Sequence, residues 1–228
     1  MFFFDQYYWL LVVPALLVTV WAQFKVKSAF HKYSQMGVRS GLTGAEASRE
    51  IQRQNGISVA LESVAGSMTD HYDPRTNVIR LSEPVGQVSS VAAVGVAAHE
   101  TGHALQYANG YMPIKIRSVI LPTTRIASTI APYLFLAGML LYSDLLAYLG
   151  LAFFGVAVLF QLLTLPVEFN ASARAMKALR EGGMMTEEEL KGVRQVLTAA
   201  AMTYVASMLV ALMSFLRLIL LLSRRNRD

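Results

Sequence analysis

The apolar positions of the chain gather into four long runs, at residues 7–24, 126–142, 145–167 and 196–222, separated by segments of mixed character. A helix that crosses a bilayer needs about 20 predominantly apolar residues, and each run is read as one such helix. Trp9 and Trp21 stand near the two ends of the first, where interfacial aromatics belong. No basic residue precedes this run and no small-residue cleavage site follows it, so it is expected to persist as an anchor rather than be removed as a signal peptide. Ser143 and Asp144 make a polar turn between the second and third runs, which pair as a helical hairpin. Pro14, Pro132 and Pro166 lie within or at the ends of the runs, where neighbouring helices can satisfy the backbone groups a proline frees.

Residues 25–125 alternate differently and predict a small α+β unit. Thr43 and Glu46 have the spacing of a capping box, opening a helix that runs to about Gln54 and ends at Asn55-Gly56. Residues 57–64 alternate as a strand, with Val59, Leu61 and Ser63 on one face. Asp73-Pro74-Arg75-Thr76-Asn77 is a turn sequence, and 78–81 a second short strand. Residues 89–109 are rich in Ala and Val and predict a helix closed by Asn109-Gly110.

Charge then gives an orientation. Lys25, Lys27, Lys32 and Arg39 follow the first run, Arg117 and Arg125 precede the second, and Arg174 and Lys177 follow the third. The positive-inside rule places these segments in the cytoplasm, with the N-terminus and the Ser143-Asp144 turn outside. The last run resists the rule. Crossing from inside leaves Arg224, Arg225 and Arg227 outside, so either the rule is broken there, or that helix is re-entrant or packs without spanning. The composition agrees with a membrane protein: 54% hydrophobic residues and 15% charged, against about 25% charged in soluble domains. The net charge of +5 is carried beside apolar runs rather than in a stripe with exposed aromatics, which excludes nucleic acid as the expected partner.

The chain has no cysteine, so disulfides, thiol nucleophiles and Cys-based metal sites are excluded, and a metal would need His and carboxylate ligands. Of four histidines, two fall in His99-Glu100-Thr101-Gly102-His103. Residues four apart share a helix face, so His99 and His103 can offer two imidazoles to one zinc ion, with Glu100 beside the first to take a proton from water. Chance can produce this pattern. Here it lies in a strongly helical stretch after the apolar or small run 91–98, where two imidazoles and a carboxylate would be costly to bury without a metal or equivalent partners. A catalytic zinc needs a third protein ligand and an open position. Asn109 and Gln106 stand where the metzincin pattern would have its third histidine and its glycine, so that pattern is excluded. Glu168, at the end of a long apolar run, is the outstanding candidate, because a carboxylate there is expensive unless paired or ligated. The alternative is an interfacial carboxylate paired with Arg174. Glu181 and Glu187 to Glu189 sit among other charges and read as solvated helix positions.

His99-Glu100-Thr101-Gly102-His103 together with Glu168-Phe169-Asn170-Ala171-Ser172 resembles the YugP-type neutral zinc metallopeptidases of bacterial membranes, and the resemblance extends over nearly the whole chain, including Asp70-His71-Tyr72-Asp73-Pro74-Arg75. The second motif is also similar to Glu-Phe-x-Ala-Asp of HtpX and the CaaX prenyl endopeptidases. The resemblance implies that Glu168 is the third zinc ligand, and that Ser172 stands where an aspartate would orient a ligand histidine, with a weaker, neutral hydrogen bond. Near such a site His71 can donate to the oxyanion of the tetrahedral intermediate, or it is only a polar turn histidine beside Asp70 and Asp73. Analogy also makes the strand 77–82 an edge that binds substrate backbone by strand addition.

The expectation is therefore a mainly α membrane protein in which transmembrane helices carry a small α+β zincin-like catalytic unit, residues 25–125 plus 168–195, the whole of 1–228 forming one membrane-integrated metallopeptidase domain. It implies a zinc endopeptidase of the gluzincin type in the bacterial cytoplasmic membrane, multi-pass, acting on peptides or membrane proteins from the cytoplasmic side. The metal ligands are His99, His103 and Glu168, and the catalytic residues Glu100 and His71. One rival is a catalytically silent zinc-binding scaffold or chaperone, against which the complete set of ligands and base argues. Another is a transporter, disfavoured because polar residues within the runs are few: Gln161, Thr164, Thr203 and Ser207. The methionines, eleven in all, read as adaptable core filler rather than a copper route.

Overall fold

The structure, a computed structural model, describes residues 5–225. After an opening π-helical turn at Tyr8–Val12 come α1 (Val13–Ser34), α2 (Gly44–Gln54), β1 (Ala60–Val64), β2 (His71–Asp73), β3 (Val78–Ser82), α3 (Glu83–Gly86), α4 (Val91–Ala108), α5 (Met112–Leu140), α6 (Asp144–Glu181) and α7 (Glu187–Arg225). Among the described residues four helical stretches are long and apolar enough to cross a membrane: Tyr8–Ser34, α5, α6 and α7. Each reaches beyond its apolar run, because good helix formers such as those at 174–181 and 187–195 continue the hydrogen-bond ladder outside the apolar stretch.

Contacts divide the chain into two compact units. The first contains residues 24–115 and 166–201, with α4 at its centre. Val91, Val94, Ala98 and Leu105 of α4 join Ile51 of α2, Ala175 and Leu179 of α6, and Leu190 and Val193 of α7 in one buried cluster. Ala97 and Ala104 join Ile79 and Leu81 of the sheet in another. The small residues of α4 are what allow this double burial. Thr43 and Glu46 form the capping box of α2, and Gly56, at φ +63°, takes the left-handed turn out of it.

Three differences from the sequence reading have local causes. β1 starts only at Ala60, because the N–H groups of Ile57 and Val59 bond back to Gln52, through its carbonyl and its side-chain oxygen. The sheet order is β1-β3-β2, with β1 parallel and β2 antiparallel to β3, so Val78–Ser82 is the central strand and not an edge. Glu189 is not a solvated position: it is 5% exposed, accepts from the Arg39 N–H at 2.6 Å, and closes a capping box with Thr186 that starts α7.

The second unit holds residues 5–23, 116–165 and 202–225. Within it α5 and α6 form the expected hairpin, packed closely enough that a Cβ on Gly138 or Gly150 would run into the backbone of Ala147 or Phe135. Leu218 and Leu222 of α7 pack with Phe135, Met139 and Ala147. Arg225 donates to the Gly138 carbonyl and to Asp144, while Arg217 pairs with Asp5 at 2.6 Å and lies over the Tyr8 ring. The far end of α7 therefore lies with the hairpin turn and with the start of the first helix. The α7 helix is continuous to Arg225, and Arg217 and Arg225 each meet an acid there.

Candidate active site

The His99-Glu100-Thr101-Gly102-His103 motif occupies the middle of α4, one helical turn separating the two imidazoles, whose ring centres are 4.8 Å apart. Glu168 comes from α6. Its Oε2 lies 3.3 Å from His99 Nε2 and 3.5 Å from His103 Nε2, and one ligand atom from each of the three residues falls within 4.8 Å of the others. Zinc bound tetrahedrally at about 2.0–2.1 Å by nitrogen and oxygen would have its ligand atoms roughly 3.3–3.4 Å from one another, so the two His–Glu spacings fit such an ion. Burial agrees, with Glu168 at 2% and His103 at 8% exposure. Burial acts most strongly on His103, disfavouring its charged form, yet the Glu168 carboxylate more than offsets this and the imidazole pKa lies above its usual value.

Close approach of α4 to α6 is what brings Glu168 to the histidines. A Cβ placed on Gly102 would lie 2.5 Å from the Ala171 carbonyl oxygen and 3.2 Å from its carbon, a backbone contact that no side-chain rotation relieves. Gly102→Ala is therefore expected to push the two helices apart, at about 1–3 kcal/mol in stability. Thermal unfolding and zinc content should fall together, and a variant with both unchanged would mean that the contact is soft.

The outer nitrogens of both rings are engaged. His99 Nδ1 meets Ser172 Oγ at 3.1 Å, so the serine does reach the histidine that the resemblance assigned to an aspartate. His103 Nδ1 meets Gln106 Oε1 at 3.0 Å. Sequence reasoning treated Gln106 only as a departure from another motif. The available signal was a glutamine three residues beyond His103, on the same helix face. The alternative pairing of Glu168 with Arg174 does not occur: the Arg174 guanidinium donates to Asn170 Oδ1 at 2.8 Å and lies over Tyr111.

Glu100 points towards the sheet. Its Oε2 accepts the Tyr72 N–H at 3.0 Å, tying the carboxylate to β2, a strand the sequence reading missed by starting a turn at Asp73. His71 is exposed, and its Nδ1 lies 2.8 Å from the Thr69 carbonyl. Because a carbonyl only accepts, that nitrogen carries hydrogen, and the neutral ring has only a lone pair to offer at Nε2. His71 lies outside the cluster of three ligand atoms.

A protein-family model described as "putative neutral zinc metallopeptidase" matches residues 8–223. The chain belongs to this zinc metallopeptidase family. It is also 50% identical to the "putative membrane protease YugP" of Bacillus subtilis (strain 168) over 212 residues, 92% of this chain and 94% of that protein. No solved structure matches it. For a zinc metallopeptidase, two imidazoles and one carboxylate with room for a further ligand are the expected donor set of a catalytic ion, and His99, His103 and Glu168 could supply it.

Proposed function

We propose that this zinc metallopeptidase is an endopeptidase of the gluzincin type, integrated in the bacterial cytoplasmic membrane as one domain spanning 1–228, with His99, His103 and Glu168 as its zinc ligands. The observation that carries the reading is the convergence of His99 Nε2 and His103 Nε2 on Glu168 Oε2, at 3.3 and 3.5 Å, beside a glutamate fixed to a strand. Zinc, when bound, supplies the Lewis acidity that makes water nucleophilic near neutral pH and polarises a peptide carbonyl. Glu100 takes the proton as the water oxygen adds to the carbonyl carbon. It then returns that proton to the departing amine as the C–N bond breaks.

The strand that could receive substrate is β2, which among the described residues is an edge of the sheet, paired with β3. The Tyr72 N–H points from it to Glu100. An extended peptide laid along this edge would pass the base and would have to share the Tyr72 N–H with Glu100 or bond to the strand's carbonyl oxygens. His71, on the same strand, donates to an oxyanion only as imidazolium. His71→Phe is then expected to lower kcat about 100-fold, the scale of one lost oxyanion donor, with zinc content unchanged. A variant with the kcat of the unmodified protein removes His71 from the reaction.

The basic residues at 25–39, 117–125 and 174–177 support a catalytic unit facing the cytoplasm. Arg217 and Arg225, at the other end of α7, are each paired with an acid and oppose that bias less than their number suggests. Substrates are then membrane proteins, or peptides that reach the inner surface. Casein hydrolysis by the detergent-purified chain tests the function. Activity should vanish on chelation and return with added zinc, whereas cleavage that survives complete removal of metal contradicts the reading.

A further inference from the structure

The bond between Gln106 and His103 is the end of a longer chain of contacts, and each contact allows only one polarity. Arg174 is always protonated and only donates. Its Nε lies 2.8 Å from the side chain of Asn170, so the Asn170 atom facing it is oxygen. The same Oδ1 lies 3.0 Å from the Gln106 amide, and the Val167 carbonyl lies 2.8 Å from the same Gln106 atom. Both neighbours only accept, so that atom is the NH₂ group, and its two hydrogens are both used. The other end of the Gln106 amide is then oxygen, and it faces His103 Nδ1 at 3.0 Å. His103 must carry a hydrogen on Nδ1, so the lone pair of the neutral ring is on Nε2, the nitrogen 3.5 Å from Glu168 Oε2.

We propose that Arg174, Asn170 and Gln106 form a positioning chain that locks His103 in the Nδ1–H tautomer and thereby sets the zinc affinity of the site. The inference rests on the ligand assignment made above. The chain is built to hold still. Gln106 is fully buried in α4. Arg174 is held over the ring of Tyr111, and the Tyr111 N–H donates to the Gln106 backbone carbonyl at 2.9 Å. A guanidinium cannot lose its proton or reverse its role, and a backbone carbonyl only accepts, so the orientation of Gln106 is imposed together by Arg174, through Asn170, and by the Val167 carbonyl. His99 is treated differently. Its Nδ1 meets a serine hydroxyl, which can donate or accept and so does not select a tautomer. The two histidines thus have unequal roles: His103 is the preset ligand, and His99 can adapt.

Partners that orient a ligand imidazole typically contribute about 10–100-fold in metal affinity. The test is the zinc dissociation constant, measured by chelator competition on the detergent-purified full chain, for Gln106→Leu, Asn170→Leu, Asn170→Asp and Ser172→Ala, with His99→Ala and Glu168→Ala alongside. Gln106→Leu should weaken zinc binding about 10–100-fold, and Ser172→Ala should weaken it less. Asn170→Leu should also weaken it, while Asn170→Asp, which keeps an oxygen for both donors, should bind nearly as tightly as the unmodified protein. Rescue by aspartate separates polarity from simple packing, and the Asn170 pair decides the matter even if Gln106→Leu does not fold. The proposal is overturned if Asn170→Asp binds as weakly as Asn170→Leu, or if a folded Gln106→Leu binds zinc normally while His99→Ala and Glu168→Ala do not. If those two also bind normally, the ligand assignment itself falls, and the positioning chain with it.

Discussion

Replacing Glu168 with alanine is expected to strip the zinc from the site while leaving most of the fold intact. Glu168 is the one residue of the three that comes from outside α4, and it is the point on which both histidines converge. Loss of a partner that merely orients a ligand weakens metal binding about 10–100-fold, so loss of a ligand should exceed that range. Two imidazoles on one helix turn would remain, too few for a catalytic ion, which takes three protein ligands. The helix that carries Glu168 keeps its packing, because Ala175, Ala178 and Leu179 lie in the buried cluster and are untouched by the change. The expected result is a preparation with unchanged helical content, substoichiometric zinc and no peptidase activity. A Glu168→Ala protein that retains stoichiometric zinc would reassign the third ligand.

Much of this architecture is legible in the residues before any coordinates. The motif spacing on α4, the Ser143-Asp144 hairpin turn and the Thr43/Glu46 cap are local signals, each decided within a few residues. The match of the catalytic pieces, by contrast, requires contacts across long stretches of chain. Glu168 stood out only because a carboxylate at the end of an apolar run demands an explanation. Gln106 gave no such signal, since a glutamine in a helix is ordinary until its neighbours are known. Glu189 misled because it is flanked by Glu187 and Glu188: the cap it closes on Thr186 is local, but the Arg39 N–H that it buries comes from 150 positions earlier. β2 was missed because three residues are too few to show alternation, and its pairing with β3 is what defines it. The edge was assigned to the wrong strand for the same reason: strand order is a property of pairing, and no pattern within 77–82 reports it. Of the three arginines behind the charge conflict at the C-terminus, Arg225 meets Asp144, a partner far away in sequence, while Arg227 lies outside the described residues.

The second large effect concerns the reaction rather than the metal. Glu100→Gln keeps the volume and can still accept the Tyr72 N–H through its side-chain oxygen, but it has no carboxylate to take a proton from water. General acid–base catalysis contributes about 10²–10⁴-fold, and Glu100 is proposed to act twice, as base in the addition and as acid in the departure of the amine. The loss is therefore expected near the upper end of that range. Zinc binding should hardly change, because Glu100 is not among the three residues whose ligand atoms converge. The most direct test of the account is to measure casein hydrolysis and zinc stoichiometry on the same preparations of the unmodified protein and Glu100→Gln. Equal zinc in both, with hydrolysis only in the unmodified protein, is the result predicted. Equal zinc with equal hydrolysis would contradict the role of Glu100 and the mechanism built on it.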